Sequence, residues 1–310
     1  KTIMKKQTKI AAVLSAAAFM MMVSGLPVYA ASYGWVTEGD AKVYYDEDGY
    51  LTTDAWRKRG EDWFYLGEDG QIVKSKKIDE YYVDDEGKMV TNAWVELKNE
   101  EDPDSPETPD TFWYYFEKDG KSAVSKWVKF DSKWYYFDES GHMATGKTEI
   151  DGATYYLGTE KDGFMRTGWI RLEENSHAPG ASESWYYFNS DGKMVTTQYD
   201  KKIDGSYYTF IDGKMQTGWV LMPSKSDVTD SNAASPRITD YQYYGAAGDG
   251  KRAEGFRSIE GISGIHAADE VYTFYFKAGK PYVSDKKGNS LFTINAKKYA
   301  FSDLGIMQTG

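Results

Sequence analysis

Cysteine is absent from this chain of 310 residues, histidine occurs three times and proline eight times. Without cysteine there is no disulfide framework, no thiolate-bound zinc and no cysteine nucleophile. His142, His177 and His266 are scattered, which leaves little from which to build a histidine-based metal or acid–base centre. Basic residues are in deficit: 37 Lys and Arg stand against 48 Asp and Glu, a net charge of −11. A chain of that sign is a poor partner for nucleic acid, which calls for a basic patch. Aliphatic residues are sparse too, because the hydrophobic set reaches only 41% with the aromatics included. What is plentiful is aromatic: 26 Tyr, 14 Phe and 10 Trp, or 16% of the chain. Disordered segments are poor in such residues, so the chain is expected to fold with aromatics as its main apolar material.

There is one long apolar run, from Ile10 to about Leu26. Lys1, Lys5, Lys6 and Lys9 precede it, and Val28-Tyr29-Ala30 follows with small residues at cleavage offsets. This pattern reads residues 1–30 as a secretory signal peptide. The run is short for a bilayer span of about 20 residues, and no second such segment follows, so no membrane span is expected in the mature chain. Removing the four lysines of that segment takes the net charge from −11 to −15. An exported, cysteine-free chain without a sorting motif fits a Gram-positive surface with non-covalent attachment to the wall.

The remainder is a repeat, and period has to be settled before domains. Each unit carries an aromatic quartet, an acidic turn ending in Gly, then an apolar residue and often Trp. It stands at Trp134-Tyr135-Tyr136-Phe137 through Gly141-His142-Met143 and at Trp185-Tyr186-Tyr187-Phe188 through Gly192-Lys193-Met194. It returns at Tyr207-Tyr208-Thr209-Phe210 through Gly213-Lys214-Met215 and on to Gly218-Trp219. Gly49 to Gly70, Gly120 to Gly141 and Gly192 to Gly213 are each 21 residues apart, and longer gaps hold insertions. Eleven such turn glycines run from Gly49 to Gly305. The insertions at 98–110, 173–184 and 223–240 are polar and Pro-bearing, so they are expected to be exposed loops within a repeat.

Tyr, Phe, Trp and Thr favour strands, and the acidic-Gly turn offers the positive φ that a tight hairpin requires. Each unit is therefore expected to be a β-hairpin whose acidic-Gly turn forms the tip. A single hairpin is marginal in water, so neighbours must stack. The expected fold is all-β, an elongated β-solenoid of stacked β-hairpin repeats. It divides into the signal (1–30), well-formed repeats (31–219) and degenerate repeats continuing the same solenoid (220–310).

At these residues the sequence resembles the cell-wall/choline-binding repeat family: Gly-Trp, a polar stretch, Trp-Tyr-Tyr-Phe, a turn, Gly-x-Met-x-Thr-Gly and the next Trp. Gly168-Trp169 through Met194 and Thr217-Gly218-Trp219 carry the pattern best, and the resemblance covers essentially all of 32–310. Related repeats occur in glucan-binding proteins and in the receptor-binding ends of clostridial toxins, where the ligand is carbohydrate. The resemblance implies choline held between successive hairpins by two aromatics of one repeat and one of the next, with a Met beside them. Carried over, one set is Trp56, Trp63 and Tyr81 or Tyr82, with Met89. A second is Trp127, Trp134 and Tyr155 or Tyr156, with Met143. A third is Trp169, Trp185 and Tyr207 or Tyr208, with Met215. Tyr82, Tyr156 and Tyr208 are taken as the closing rings. At Lys76-Lys77, Lys147-Thr148 and Gln198-Tyr199 the Trp is missing, and after Trp219 Phe256 stands in for it.

Aromatic faces attract a quaternary ammonium through the ring quadrupole, whereas most Tyr and Phe in such an array serve as core. In the quartet, strand alternation puts Trp134 and Tyr136 on one face and Tyr135 and Phe137 on the other. The acidic turns lack the spacing of a calcium loop, and no Gly-x-Ser-x-Gly, His-Glu-x-x-His or phosphate loop occurs. No metal or cofactor is expected. The reading is a secreted, non-catalytic protein that binds choline-decorated teichoic acid. The alternatives are a carbohydrate-binding surface protein or adhesin whose polysaccharide partner is a glucan or a host glycan, and the targeting module of a cell-wall hydrolase.

Overall fold

The structure, a computed structural model, describes residues 33–99, 109–173, 182–223, 235–267 and 269–309. The segment read as a signal peptide lies outside them, as do the middles of the three insertions. The chain is all-β, with eleven separate small antiparallel sheets among the described residues. Hairpins 1 to 3 pair Gly34–Glu38 with Ala41–Tyr45, Ala55–Arg59 with Asp62–Leu66, and Lys76–Ile78 with Tyr81–Val83. Hairpins 4 to 7 pair Ala93–Lys98 with Thr111–Phe116, Lys126–Phe130 with Lys133–Phe137, Lys147–Ile150 with Ala153–Tyr156, and Gly168–Glu173 with Glu183–Phe188. Hairpins 8 to 11 pair Gln198–Ile203 with Ser206–Ile211, Gly218–Leu221 with Tyr241–Tyr244, Gly255–Glu260 with Val271–Lys277, and Asn289–Ile294 with Lys297–Ser302. Residues up to Asn92 together with Lys118–Lys121 make one compact unit, and Ala93–Glu117 with Ser122 onward make a second.

The acidic-Gly turns do not form the hairpin tips. Outside hairpins 4, 7, 9 and 10, whose tips are longer, the tips are short turns such as Asp131-Ser132 and Asp204-Gly205, these four residues all at positive φ. The acidic-Gly turn follows the second strand and reverses the chain again. At Asp138, Gly141 N donates to the Asp138 carbonyl at 3.1 Å, and the Asp138 carboxylate accepts the Ser140 and His142 amides at 2.9 and 2.8 Å. The turn thus brings Met143 back to bridge Phe137, and the same bridge recurs at Phe188 with Met194. Asp at the head of the turn is there to cap backbone donors, which accounts for the acidic signature without a bound ion.

The core follows one strand position. Counting each quartet from first to fourth, the fourth residue is fully buried in hairpins 2 and 3 (Leu66, Val83) and in hairpins 4 to 7 (Phe116, Phe137, Leu157, Phe188). It remains so in hairpins 8 to 11 (Phe210, Tyr244, Phe276, Phe301). Each such side chain contributes about 1.5–3 kcal/mol by leaving water. The repeats after residue 219 are degenerate in sequence but keep this position. Phe256 also holds the place of Trp, with Tyr275 at 4.8 Å in its own hairpin and Tyr299 at 4.9 Å in the next.

The insertions lie at the tips of hairpins 4, 7 and 9. Part of the last is not an exposed loop: Ile238–Asp240 forms one turn of 3-10 helix, and Ile238 is buried in a cluster with Phe274 and Phe276. An apolar side chain within a polar stretch found an apolar surface to cover.

In several units the residue two places after the turn glycine joins neighbouring hairpins. Met143 and Met165 donate their amides to the carbonyls of Trp113 and Trp134, both at 2.8 Å. Their side chains then lie against the next turn glycine. A Cβ on Gly163 would fall 2.3 Å from the Met143 sulfur, and one on Gly192 would fall 2.3 Å from that of Met165. Both glycines also have positive φ, 51° and 78°. The turn glycine is therefore required twice, by backbone conformation and by the close approach of the preceding Met.

Candidate functional site

The first strand of a hairpin presents its Trp opposite the third quartet residue. Register pairs Trp56 with Tyr65, Trp94 with Tyr115, Trp127 with Tyr136 and Trp169 with Tyr187. These rings meet edge to face at 5.3, 5.3, 5.3 and 5.1 Å. Each Trp then reaches the second quartet residue of the following hairpin: Tyr81 at 5.3 Å, Tyr135 at 4.9 Å, Tyr155 at 4.9 Å and Tyr208 at 4.8 Å. T-shaped contacts of this kind are favourable for aromatic quadrupoles. They hold each Trp at a fixed angle between two hairpins.

The first quartet residue completes the arrangement, because it shares a face with the third. Trp113 stands 6.5 Å from Trp94 at 72°, and Trp185 stands 6.5 Å from Trp169 at 83°. Trp94, Trp113 and Tyr135 line an open cavity of about 280 Å3 with Met143. Trp169, Trp185 and Tyr208 line one of about 270 Å3 with Met215. Three angled rings and a thioether thus recur at two places with nearly the same dimensions. Charged side chains line both: Asp162 with Lys133 and Lys161 in the first, and Asp249 with Lys251 in the second. In hairpins 2 and 5 the first quartet residues, Trp63 and Trp134, are each 41% exposed. The Lys129 ammonium lies 5.7 Å above the Trp134 ring.

The structure places the expected residues as follows. Trp169, Trp185, Tyr208 and Met215 come together. Trp56 meets Tyr81, not Tyr82, and Trp127 meets Tyr155, not Tyr156. Tyr82 lies opposite Lys77 in its own hairpin, and the Tyr156 ring is 6.3 Å from Phe188. The reason is strand alternation: the second and fourth quartet residues face the preceding Trp, as Tyr135 and Phe137 face Trp94, and the third lies on the other face. Met89 does join Trp63: its backbone amide donates a hydrogen bond to the Trp63 carbonyl at 2.8 Å. Met143 belongs with Trp94 and Trp113, and the methionine joined to Trp134 is Met165. The set of Trp94, Trp113 and Tyr135 is not among those read from the sequence, although the Trp169 and Trp185 set, split by a similar insertion, is. Its signal was present in Ala93-Trp94 followed by Trp113-Tyr114-Tyr115-Phe116 and Asp119-Gly120.

At several places a cation of the chain covers a ring, two of them involving a repeat that lacks the Trp. Lys147 replaces it in hairpin 6, and its ammonium lies 5.2 Å from the Tyr186 ring of hairpin 7. Arg252 takes a methionine's place after hairpin 9, and its guanidinium lies 4.1 Å from the Tyr207 ring. Arg57 lies 5.2 Å from the Tyr44 ring.

Hairpins of this sequence pattern, joined through inter-repeat aromatic sets, define a repeat-type binding module. Residues 124–169 match the family described as choline-binding repeat, and residues 181–194 match the putative cell wall binding repeat. Within these two segments the chain is similar to repeats of the choline-binding, cell-wall-binding type. It is also similar to glucosyltransferase-S of Streptococcus mutans, 26% identical over 261 residues, which is 78% of this chain and 14% of that protein. Glucosyltransferase-I of Streptococcus downei is 26% identical over 301 residues, 87% of this chain and 18% of that one. The chain therefore spans less than a fifth of either relative. Among solved structures it is similar in fold to the modular autolysin LytC of Streptococcus pneumoniae, with a TM-score of 0.53 and 21% identity, covering 89% of this chain and 53% of that one. CbpJ of Streptococcus pneumoniae TIGR4 gives a TM-score of 0.53 and 20% identity, covering 89% and 94%.

Proposed function

We propose that the chain is a secreted, non-catalytic repeat module that binds choline-decorated teichoic acid on the bacterial wall, with its hairpins stacked as an elongated solenoid. The observation that carries this reading is the pair of matching cages, Trp94, Trp113, Tyr135 and Met143, and Trp169, Trp185, Tyr208 and Met215. Their rings converge on an open cavity, and ring faces suit a quaternary ammonium, which cannot donate hydrogen bonds. Elsewhere the chain lays its own Lys and Arg on equivalent rings, which is the same interaction made internally. Each ring contact contributes about 0.5–2 kcal/mol, so one cage supports affinities of order millimolar. Several cages on one polymer multiply through effective concentration.

Titration with choline, followed by tryptophan fluorescence and calorimetry, tests the reading. Saturation in the millimolar range is expected, weakened when Trp113→Ala and Trp185→Ala are combined. No saturable response and no retention on an immobilised choline analogue would overturn it. Similarity to the two glucosyltransferases favours a second reading, in which the same Trp faces stack on the apolar faces of a glucan. A glycan array with a defined hit and no choline response would select that reading. The likeness in fold to LytC suggests a third setting, as the targeting part of a wall hydrolase.

A further inference from the structure

Charge is spread unevenly along the chain. Residues 271–310 hold six Lys, no Arg and two Asp, a net of +4, whereas residues 31–270 hold 27 basic and 46 acidic side chains, a net of −19. The six lysines form three pairs, all exposed. Lys277 stands opposite Lys280 across the turn after the second strand of hairpin 10. Lys286 and Lys287 are adjacent in the segment joining hairpins 10 and 11, and Lys297 and Lys298 follow the hairpin 11 tip. Among the described residues none of the six ammonium groups makes an ion pair. Elsewhere Lys88, Lys121 and Lys126 pair with Glu86, Glu80 and Glu117 at 2.7, 2.6 and 2.9 Å. Two carboxylates lie near the six and are bound otherwise: Glu254 accepts the Ala278 amide at 2.9 Å, and Asp285 accepts the Ser290 hydroxyl at 3.1 Å. The joining segment is held in place, because the Ser284 hydroxyl donates to the Lys286 carbonyl at 2.8 Å. Like charges directly opposite on paired strands are destabilising, a cost that an anionic partner would offset.

We infer that hairpins 10 and 11 present a lysine surface that binds the phosphodiester backbone of a linear polyanion, apart from any cage. Hairpin 11 has no cage of its own. Leu291 stands opposite Ala300 and Lys298 is the first quartet residue, where hairpin 7 has Trp169 and Trp185. Lysine is a compact point charge without the bidentate fork of arginine, which suits repeated charges along a flexible chain better than one fixed phosphate. The strand Asn289–Ile294 separates Lys287 from the tip, a span of roughly 20 Å at about 3.3 Å per residue. A polymer reaches both lysine pairs, whereas a single small anion reaches one. Exposed charges more than about 8 Å away are largely screened at physiological salt, so the acidic remainder of the chain does not cancel this surface. The lysine surface stands on its own residues, whereas the choice of a phosphodiester polymer rests on the teichoic acid reading given above.

The test uses the full chain and a fluorescently labelled poly(glycerol phosphate) that carries no choline, with binding followed by anisotropy. Binding is expected at about 50 mM salt and should weaken as salt rises. Saturating choline should leave it unchanged. Lys286→Gln, Lys287→Gln and Lys298→Gln combined should weaken it and lower the slope of log affinity against log salt by about 2, at about 0.7 for each lost phosphate contact. Lys88→Gln, Lys121→Gln and Lys126→Gln combined make the same change in net charge and should leave the slope as it is. Absence of binding at low salt, displacement by choline, or equal loss in both triple variants overturns the lysine surface. Polymer binding without any choline response overturns the cage reading and leaves the lysine surface. Tighter binding of a sulfated glycan of equal charge overturns the phosphodiester assignment and leaves a surface for polyanions.

Discussion

Hairpins 6 and 7 share one frame and differ in what they offer. Their fourth quartet residues, Leu157 and Phe188, are both fully buried. In both, the methionine after the turn, Met165 or Met194, lies against the next turn glycine, Gly192 or Gly213. The Thr154 carbonyl in hairpin 6 accepts the Met194 amide at 2.8 Å, just as the Trp134 carbonyl in hairpin 5 accepts that of Met165. The difference lies in two side chains. Hairpin 7 has Trp169 and Trp185, which wall an open cavity with Tyr208. Hairpin 6 has Lys147 and Thr154 in the same places, and its lysine covers Tyr186. Frame and site are therefore carried by separate positions. A repeat can lose its cage without losing its place in the array.

The largest expected effect is on the frame. Phe188→Ala should cost about 3–5 kcal/mol, the range for truncating a buried Phe, measured by guanidinium denaturation. A loss below about 1 kcal/mol would mean the buried position does not carry the frame. Next comes the site. Trp185→Ala should weaken choline binding at the hairpin 7 junction about tenfold, the loss of one strong cation–π contact, with a smaller change in stability than Phe188→Ala. Equal effects on stability and binding would break the separation between the two roles.

A gain-of-site experiment sharpens the same comparison. Lys147→Trp with Thr154→Trp should add one choline site, read as the stoichiometry in calorimetry. An unchanged stoichiometry would show that hairpin 6 differs in more than those two side chains. The smallest effect concerns pH. Burial raises the Tyr244 phenol above its ordinary value, with its hydrogen bond to Asp200 adding to that. Burial likewise raises Tyr135 and Tyr243. The unfolded chain therefore releases these protons first. Their contribution is complete below about pH 10 and declines as pH rises beyond it. Tyr244→Phe removes one such proton, so its stability should fall less steeply between pH 10 and 12 than that of the parent chain. An identical alkaline slope would remove Tyr244 from this account.

Much of this was legible beforehand. The repeat, the strand content, the turn glycines and the Trp positions all follow from local spacing. The face assignment of Trp134-Tyr135-Tyr136-Phe137 follows from a period of two: Tyr136 meets Trp127, while Tyr135 and Phe137 meet Trp94. What misled was adjacency. The acidic-Gly turn looks like a hairpin tip because it follows a strand, but the tip had passed at a pair such as Asp131-Ser132. Tyr82 and Tyr156 sit beside the rings that close on Trp, one place out of phase. Met143 is next in sequence to the Trp127 hairpin, yet the turn carries it to the hairpin before.

The sequence by itself determined the repeat and its strand faces, because both depend on neighbours a few residues apart. Only the tertiary structure decided which aromatics are core, which form cages and which are capped by the chain's own cations. Those outcomes depend on contacts between hairpins, where one residue of offset selects a different ring. The 16% aromatic content sets what material is available. The stacking of one hairpin on the next sets whether a given ring is sealed in or left facing an open cavity.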